Sequence, residues 1–128
     1  VELHLSVRDW IRHWAPAWAQ GSMLTVDYGD LFPALYHRHP QGTLRAYLLH
    51  QRLNGTDLYL NIGRQDITAD INFTDYRKWT QALGWEEITF QDQASFIAAR
   101  TQCPNNQFMD RNGAGGAFKV VTHRKLFK

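Results

Sequence analysis

An amphipathic stretch that leads directly into a short apolar one is the feature that most limits how this chain can fold. In the first stretch apolar side chains recur at helical spacing, at Val7, Trp10, Ile11, Trp14 and Trp18. The spacing predicts a helix over about residues 6–19, begun by Ser6 and Asp9 in a capping-box arrangement. Because Pro16 lacks a backbone N–H, we expect a kink or an early end near Trp14.

The apolar stretch that follows, residues 22–27, predicts a buried parallel strand, because it is short and stops at turn residues. In open parallel sheets, ligands bind beyond the carboxyl ends of the strands. Asp27 and Tyr28 occupy that position and are therefore candidate functional residues. The alternative interpretation is that Asp27 only caps a turn.

The rest of the sequence continues the alternation of helices and strands that is typical of α/β proteins. Residues 30–42 predict a loop with one helical turn, 43–50 fit a helix or a strand, and Asn54-Gly55 favours a hairpin turn. Thr74 is a candidate N-cap and Gly84 a candidate C′ residue. The later predicted elements are an edge strand within 63–73, a helix over 74–83, a strand over 86–91, a short helix over 93–100, a loop over 102–116 and a last strand over 117–124.

Composition limits the class of protein further. The chain has 128 residues, of which 44% are hydrophobic and 20% charged, and we expect one domain over residues 1–128. The net charge of +2 comes from scattered side chains, which does not favour nucleic acid as a partner. We expect no membrane span, because the sequence has no run of about eighteen apolar residues. The lone Cys103 cannot form an internal disulfide and favours a reducing, cytoplasmic compartment.

Several motifs that carry chemistry in other proteins are weak here. The glycine-rich run at 113–116 precedes a predicted strand instead of a helix, so we interpret it as a flexible turn and not as a phosphate-binding loop. His37 and His39 have no third ligand at a matching spacing, and we expect no metal site. A Gly-x-Ser-x-Gly nucleophile elbow is also absent from the sequence.

Three motifs in order along the chain point to a known family. They are Asp27-Tyr28-Gly29, Gly42-Thr43-Leu44-Arg45 and Gln65-Asp66-Ile67-Thr68-Ala69. Together with the closing stretch 116–121, this set resembles the MidA-like S-adenosylmethionine-dependent methyltransferases, which include the mitochondrial complex I assembly arginine methyltransferase. The resemblance implies an α/β fold, namely the C-terminal half of a class I (Rossmann-like) methyltransferase sheet with an antiparallel last strand. It also implies an insert at about residues 30–66.

The resemblance further implies S-adenosylmethionine as the cofactor and a protein arginine as the methyl acceptor. The family's glycine loop for the cofactor belongs to an N-terminal half that this sequence does not match, so no cofactor-binding residue is assigned. Asp27 and Asp66 are implied as catalytic carboxylates that hold the guanidinium. The implied substrate-binding residues are Tyr28, Arg45, His50 and Thr68. For Arg45, a salt bridge that fixes the insert is an equally good interpretation.

Two functions from different classes follow. In the first, the chain is a piece of a methyltransferase that acts on a protein substrate. In the second, it is a non-catalytic interaction module derived from such an enzyme. Five tryptophans in half a sheet would leave apolar surface exposed, which favours a homo-oligomer or strand exchange.

Overall fold

The computed structural model describes residues 2–101 and 107–126, which form two small sheets with helices packed beside them. Cys103 lies outside the described residues. The elements, in chain order, are α1 (Leu5–Trp14), β1 (Gly21–Asp30), α2 (Ala34–Arg38), β2 (Arg45–Leu48), β3 (Gln51–Leu53), a 3-10 helix (Gly55–Tyr59), β4 (Asp66–Thr68), β5 (Ile71–Asn72), α3 (Phe73–Ala82), β6 (Glu86–Asp92), α4 (Gln93–Ala98), a second 3-10 helix (Gln107–Met109), α5 (Ala114–Ala117) and β7 (Phe118–Lys125).

The main sheet has four strands in the order β5-β1-β7-β6. The last strand, β7, lies between β1 and β6 and runs antiparallel to both, whereas β5 is parallel to β1. The predicted α/β class with an antiparallel last strand is therefore confirmed. The smaller sheet has three strands in the order β3-β2-β4.

Gly29 allows β5 to approach the end of β1. It pairs with Ile71 and has a φ of +151°, and a Cβ at this position would lie only 2.1 Å from the Ile71 carbonyl oxygen. Because this is far inside van der Waals contact, any side chain there would push β5 away. The glycine of the Asp-Tyr-Gly motif thus fixes the carboxyl end of β1 against the chain that enters α3.

The core lies between the main sheet and the helices α1 and α3. Ile11, Phe73 and Val121 are completely buried, and Tyr76 and Trp85 are nearly so. The Tyr76 hydroxyl also forms a hydrogen bond of 2.8 Å with the Thr25 hydroxyl, which ties α3 to β1. Burying these aromatic side chains supplies most of the apolar contact between the layers.

Two predicted helix starts are wrong, although the predicted early end of the first helix is confirmed at Trp14. The first helix begins at Leu5 with His4 as its N-cap residue and without a side-chain cap, and the Asp9 carboxylate accepts from the neighbouring Arg8. The helix predicted to start at Thr74 begins one residue earlier, and Asn72 is its N-cap. The Thr74 hydroxyl accepts the Phe32 N–H. Gly84, with a φ of +74°, ends this helix as predicted.

The predicted hairpin turn at Asn54-Gly55 is also wrong. A 3-10 helix begins at Gly55, and the actual hairpin joins β2 to β3 through Leu49 and His50, which have φ values of +49° and +65°. Pairing of Leu48 with Gln51 leaves only two residues for the turn, and such short turns need positive φ at both. The pairing register therefore fixes the position of the turn. The stretch 43–50, which fits a helix or a strand by its sequence, contains a strand.

The glycine-rich run was predicted to be a flexible turn, but it contains the short helix α5. Gly115 and Gly116 pack against the backbone of residues 108–111, where added Cβ atoms would come within 2.8 Å and 2.1 Å of backbone atoms. The glycines are needed here for close packing.

One edge of the main sheet is open. β5 covers only the last two residues of β1, and no described residue pairs with Gly21–Tyr28 on that side. Leu24 and Val26 on this strand are 53% and 43% exposed, and Trp10 and Trp14 on α1 are also half exposed. The apolar surface expected for half a sheet is thus present in the described part of the chain.

His123 is a polar residue in the middle of the core. It is completely buried beside the rings of Tyr76 and Trp85, and neither ring nitrogen has a hydrogen-bond partner in the described structure. Burial lowers the pKa of His123; Glu87 on β6 opposes this effect and Arg77 on α3 adds to it.

We expect this histidine to make stability sensitive to acid. Because its folded-state pKa is lowered, the unfolded chain binds the proton more readily, and stability falls as the pH drops below the ordinary pKa of histidine. Urea denaturation at about pH 7.5 and about pH 5 measures the free energy of unfolding at each pH. Between these two pH values the wild type should lose more of this free energy than His123→Leu does. The exposed His37→Leu is the control, and an equal loss in all three proteins would contradict the prediction.

Candidate functional site

The carboxyl end of β1 places Asp27 and Tyr28 beside a buried cluster of polar residues. Asp27 is half-buried, and its Oδ1 accepts the Tyr28 backbone N–H at 2.8 Å. Burial raises the pKa of the Asp27 carboxyl, and the charge of Asp70 raises it further. The Tyr28 N–H, His4 and Arg45 act in the opposite direction without cancelling the rise. This carboxylate therefore holds a proton more readily than an exposed aspartate does.

Arg45 and Asp70 form a buried ion pair next to Asp27. The Arg45 side chain donates to Asp70 Oδ1 at 2.5 Å and to the Thr43 carbonyl oxygen at 3.2 Å. The Thr43 hydroxyl accepts the Asp70 backbone N–H at 3.0 Å, and His39 Nε2 lies 3.6 Å from the other Asp70 oxygen. Burial alone would lower the pKa of Arg45, but the hydrogen bond and charge of Asp70 outweigh it, and the pKa is raised. Of the two interpretations of Arg45, the structure contains the salt bridge.

The same arginine covers the aromatic ring of Tyr28. Its guanidinium carbon lies 5.1 Å from the ring centroid, which is cation–π distance, and the ring also contacts Phe118 at 3.9 Å between centroids. From the sequence we expected Tyr28 to offer its ring to a substrate cation. In this structure a cation of the chain itself occupies that position.

The other predicted site residues lie elsewhere. Asp66 and His50 line a separate surface cavity of about 520 Å³ on the small sheet, together with Tyr47, Leu49 and Arg64. Thr68 on β4 pairs with Arg45 on β2, so it lies with Asp27, Tyr28 and Arg45. The structure brings Asp27, Tyr28, Arg45 and Thr68 together, and it does not place Asp66 and His50 in the same cavity as Asp27.

Sequence reasoning missed Asp70, Thr43 and His39. A signal was present, since an arginine on an apolar strand needs a carboxylate partner once it is buried. Asp70 was the nearby acidic residue without an assigned role. Its separation of 25 residues from Arg45 meant that only the fold could bring the two together.

A groove of about 390 Å³ follows the open edge of β1 and ends at Asp27. Its walls are mostly apolar and include Val7, Trp10, Met23, Leu24, Val26, Ile71 and Tyr76. A half-buried carboxylate at the end of such a groove can bind and orient a nitrogen donor group.

The described residues do not form a cradle for S-adenosylmethionine. No described strand is followed by a glycine-rich turn into a helix, because β5 leads directly into α3 and β6 directly into α4. The closely packed Gly115 and Gly116 contact the chain's own backbone. Within residues 2–101 and 107–126, no cluster of three His, Cys, Asp or Glu side chains could hold a metal ion. No helix in the same ranges is long and apolar enough to cross a membrane.

Comparison with known families agrees with the resemblance. Residues 1–91 match the model of a family described as "Putative S-adenosyl-L-methionine-dependent methyltransferase". The chain belongs to this family. The predicted enzyme class and cofactor are thereby confirmed at the level of the family.

Two solved structures from Burkholderia thailandensis are similar to this chain. One is the native structure of an uncharacterized protein, with 21% identity and a TM-score of 0.77, and the match covers 96% of this chain and 38% of that one. The other, from the same superfamily, is bound to S-adenosyl-homocysteine; it has 21% identity and a TM-score of 0.76, with 96% and 36% covered. The chain therefore spans little more than a third of each. No curated protein matches the sequence.

We expect the Arg45–Asp70 pair to be coupled. Arg45→Met or Asp70→Asn leaves one buried charge unpaired and should cost about 3–5 kcal/mol of unfolding free energy, measured by urea denaturation. The double variant Arg45→Met with Asp70→Asn should cost less than the two single changes together.

The control is Arg38→Met. It breaks the ion pair with Asp30, in which the Arg38 side chain is 52% exposed, and it should cost less than about 1 kcal/mol. If the two buried single variants are no less stable than the control, the pair does not hold the small sheet against the main sheet.

Proposed function

We propose that this chain forms the acceptor-binding part of a MidA-like, S-adenosylmethionine-dependent methyltransferase whose acceptor is an arginine in a protein. In this proposal residues 1–128 belong to one domain, with an insert at about 30–66. Family membership supports the reaction class. The observation that carries the assignment of the site is the half-buried Asp27 carboxylate at the end of the apolar β1 groove.

Asp27 is suited to hold the acceptor nitrogen. Its Oδ1 is fixed by the Tyr28 N–H, and Oδ2 makes no hydrogen bond to any residue that the structure describes. Oδ2 therefore remains able to accept a hydrogen bond from a guanidinium N–H. The raised pKa makes this carboxylate a better proton acceptor than an exposed aspartate, which suits a group that must orient and then deprotonate a nitrogen.

Arg45, Tyr28 and Thr68 have supporting roles in this proposal. Arg45 is bound by Asp70 and lies over Tyr28, so it positions the ring and does not bind an acidic part of the substrate. Thr68 holds Arg45 through strand pairing. Tyr28 continues to contribute its backbone N–H to Asp27.

We expect the chain by itself not to bind the cofactor product. Because the described residues lack a glycine cradle, calorimetric titration with S-adenosylhomocysteine up to millimolar concentration should give no saturable heat. Saturable binding would contradict this and would mean that the chain completes a cofactor pocket in another way, for example as a dimer.

The catalytic role of Asp27 is testable in a polypeptide that contains both this chain and a cofactor-binding part. Asp27→Asn should lower methyl transfer to a protein acceptor by about 100-fold, because the amide cannot accept the proton. Affinity for S-adenosylhomocysteine should not change. The exposed Asp9→Asn is the control, and turnover of Asp27→Asn equal to that of the control would remove Asp27 from the site.

The non-catalytic interaction module is retained as the second candidate because the apolar edge of β1 is open. An open edge with exposed Leu24 and Val26 pairs readily with another strand, including that of a second copy. If this is the chain's role, light scattering should show a dimer that Val26→Lys dissociates. If the wild type and Val26→Lys are both monomers, the interaction module is ruled out and only the methyltransferase proposal remains.

A further inference from the structure

The cavity on the small sheet is built by strand pairing and held in place from several sides. Tyr47 on β2 pairs directly with Asp66 on β4, so both side chains lie on one face. The turn at Leu49 and His50 contributes one wall. Arg64 lies two residues before the start of β4, and its backbone N–H donates to the Asn61 carbonyl oxygen at 2.9 Å.

The segment beside this cavity is also fixed. The Gln65 side chain donates to the carbonyl oxygen of Leu58, whose own side chain is buried. This bond ties the first 3-10 helix to the residue between Arg64 and Asp66. The backbone that carries the charged side chains of the cavity is therefore held in place by hydrogen bonds and strand pairing.

These charged side chains are not used by the fold. In the part of the chain that the structure describes, Arg64, Asp66 and His50 make no side-chain hydrogen bond or ion pair. Arg38, Arg45, Arg77, Arg111 and Arg124 each lie against a carboxylate, whereas Arg52 and Arg100 bind neutral oxygens near them in the chain. The cavity thus presents an unpaired guanidinium, a carboxylate and an imidazole together.

The turn that forms one wall is strained. Leu49 and His50 both have positive φ, a conformation that asparagine and glycine adopt more easily. Leu49 is also 86% exposed, so burial does not explain its side chain. Strained backbone that carries an exposed apolar side chain is characteristic of binding sites.

Apolar side chains are exposed across the same small sheet and its loop. Their exposed fractions are 41% for Tyr47, 61% for Tyr59, 71% for Leu60, 79% for Ile62 and 49% for Ile67. Exposed apolar surface combined with an unpaired arginine is typical of surfaces that bind proteins. A peptide with both charges complements the cavity, since a carboxylate suits Arg64 and a cation suits Asp66.

We propose that this cavity binds an extended peptide segment of the methyl acceptor protein, which places an acidic side chain on Arg64 and a basic one on Asp66. This proposal rests on the proposed function only because it assigns the peptide to the methyl acceptor protein. Alternate residues of an extended peptide face the same side, so the two charges are expected at positions i and i+2.

The probe is the fluorescein-labelled peptide Leu-Glu-Ala-Arg-Leu, titrated with the full chain and followed by fluorescence polarisation. Versions with two glutamates, two arginines or two glutamines in the charged positions test selectivity. We expect saturable binding that is strongest for the Glu/Arg peptide. Arg64→Glu should shift the preference to the two-arginine peptide by about tenfold, and Asp66→Arg should shift it to the two-glutamate peptide.

The control is Arg12→Glu on α1, which makes the same charge change away from the cavity and should leave the preference unchanged. No saturable binding of any peptide would overturn the proposal. Equal binding of all four, or an equal effect of Arg12→Glu, would show general electrostatic attraction and would also overturn it. Because this readout needs no methyl transfer, an unaffected turnover of Asp27→Asn would leave the peptide result standing.

Discussion

The buried ion pair between Arg45 and Asp70 is the interaction on which the rest of the site depends. Arg45 belongs to the small sheet, and Asp70 immediately precedes β5, the strand that pairs with the end of β1. The pair therefore joins the small sheet to the main sheet. At this contact Arg45 covers Tyr28. Burial is the main cause of the raised pKa of Asp27; of the two paired charges, Asp70 raises this pKa and Arg45 lowers it.

Much of the main sheet and its helices was predictable because their signals are local. Pro16 ends α1, Gly84 ends α3, and short apolar runs mark β6 and β7, all from residues within a few positions. The hairpin was not predictable in this way. Its turn lies at Leu49 and His50 because strand pairing fixes the register, whereas the favourable Asn-Gly sequence begins a 3-10 helix. Register is a tertiary property, and it overrides turn preference.

The candidate site was predictable in part for the same reason. Asp27 and Tyr28 followed from a rule about the ends of parallel strands. The predicted buried parallel strand is wrong in this respect, because β1 is antiparallel to β7 along most of its length and parallel to β5 only over its last two residues. The motif resemblance indicated Arg45 and Asp66 as site residues, but it did not indicate which residues surround them. The structure separates them, because Asp66 lies opposite the exposed Tyr47, whereas the buried Arg45 lies opposite Thr68. Arg45 and Tyr47 are two residues apart on β2, so alternation places them on the same face and does not explain their different burial. Arg45 is the one that binds Asp70, a contact that no local sequence pattern indicates.

A buried ion pair adds little net stability compared with an apolar pair of similar size, because desolvating both charges offsets most of their attraction. Its value here is therefore best explained by the arrangement it imposes. An apolar replacement could hold the insert, but it would place no cation over Tyr28 and no charge beside Asp27. The chain keeps a buried pair where it shapes the carboxylate, and it leaves Arg64 and Asp66 unpaired where a partner can reach them. The two regions thus differ in the burial of their charges: the buried pair holds Arg45 over Tyr28, whereas Arg64 and Asp66 are the unpaired groups to which we propose that a peptide binds.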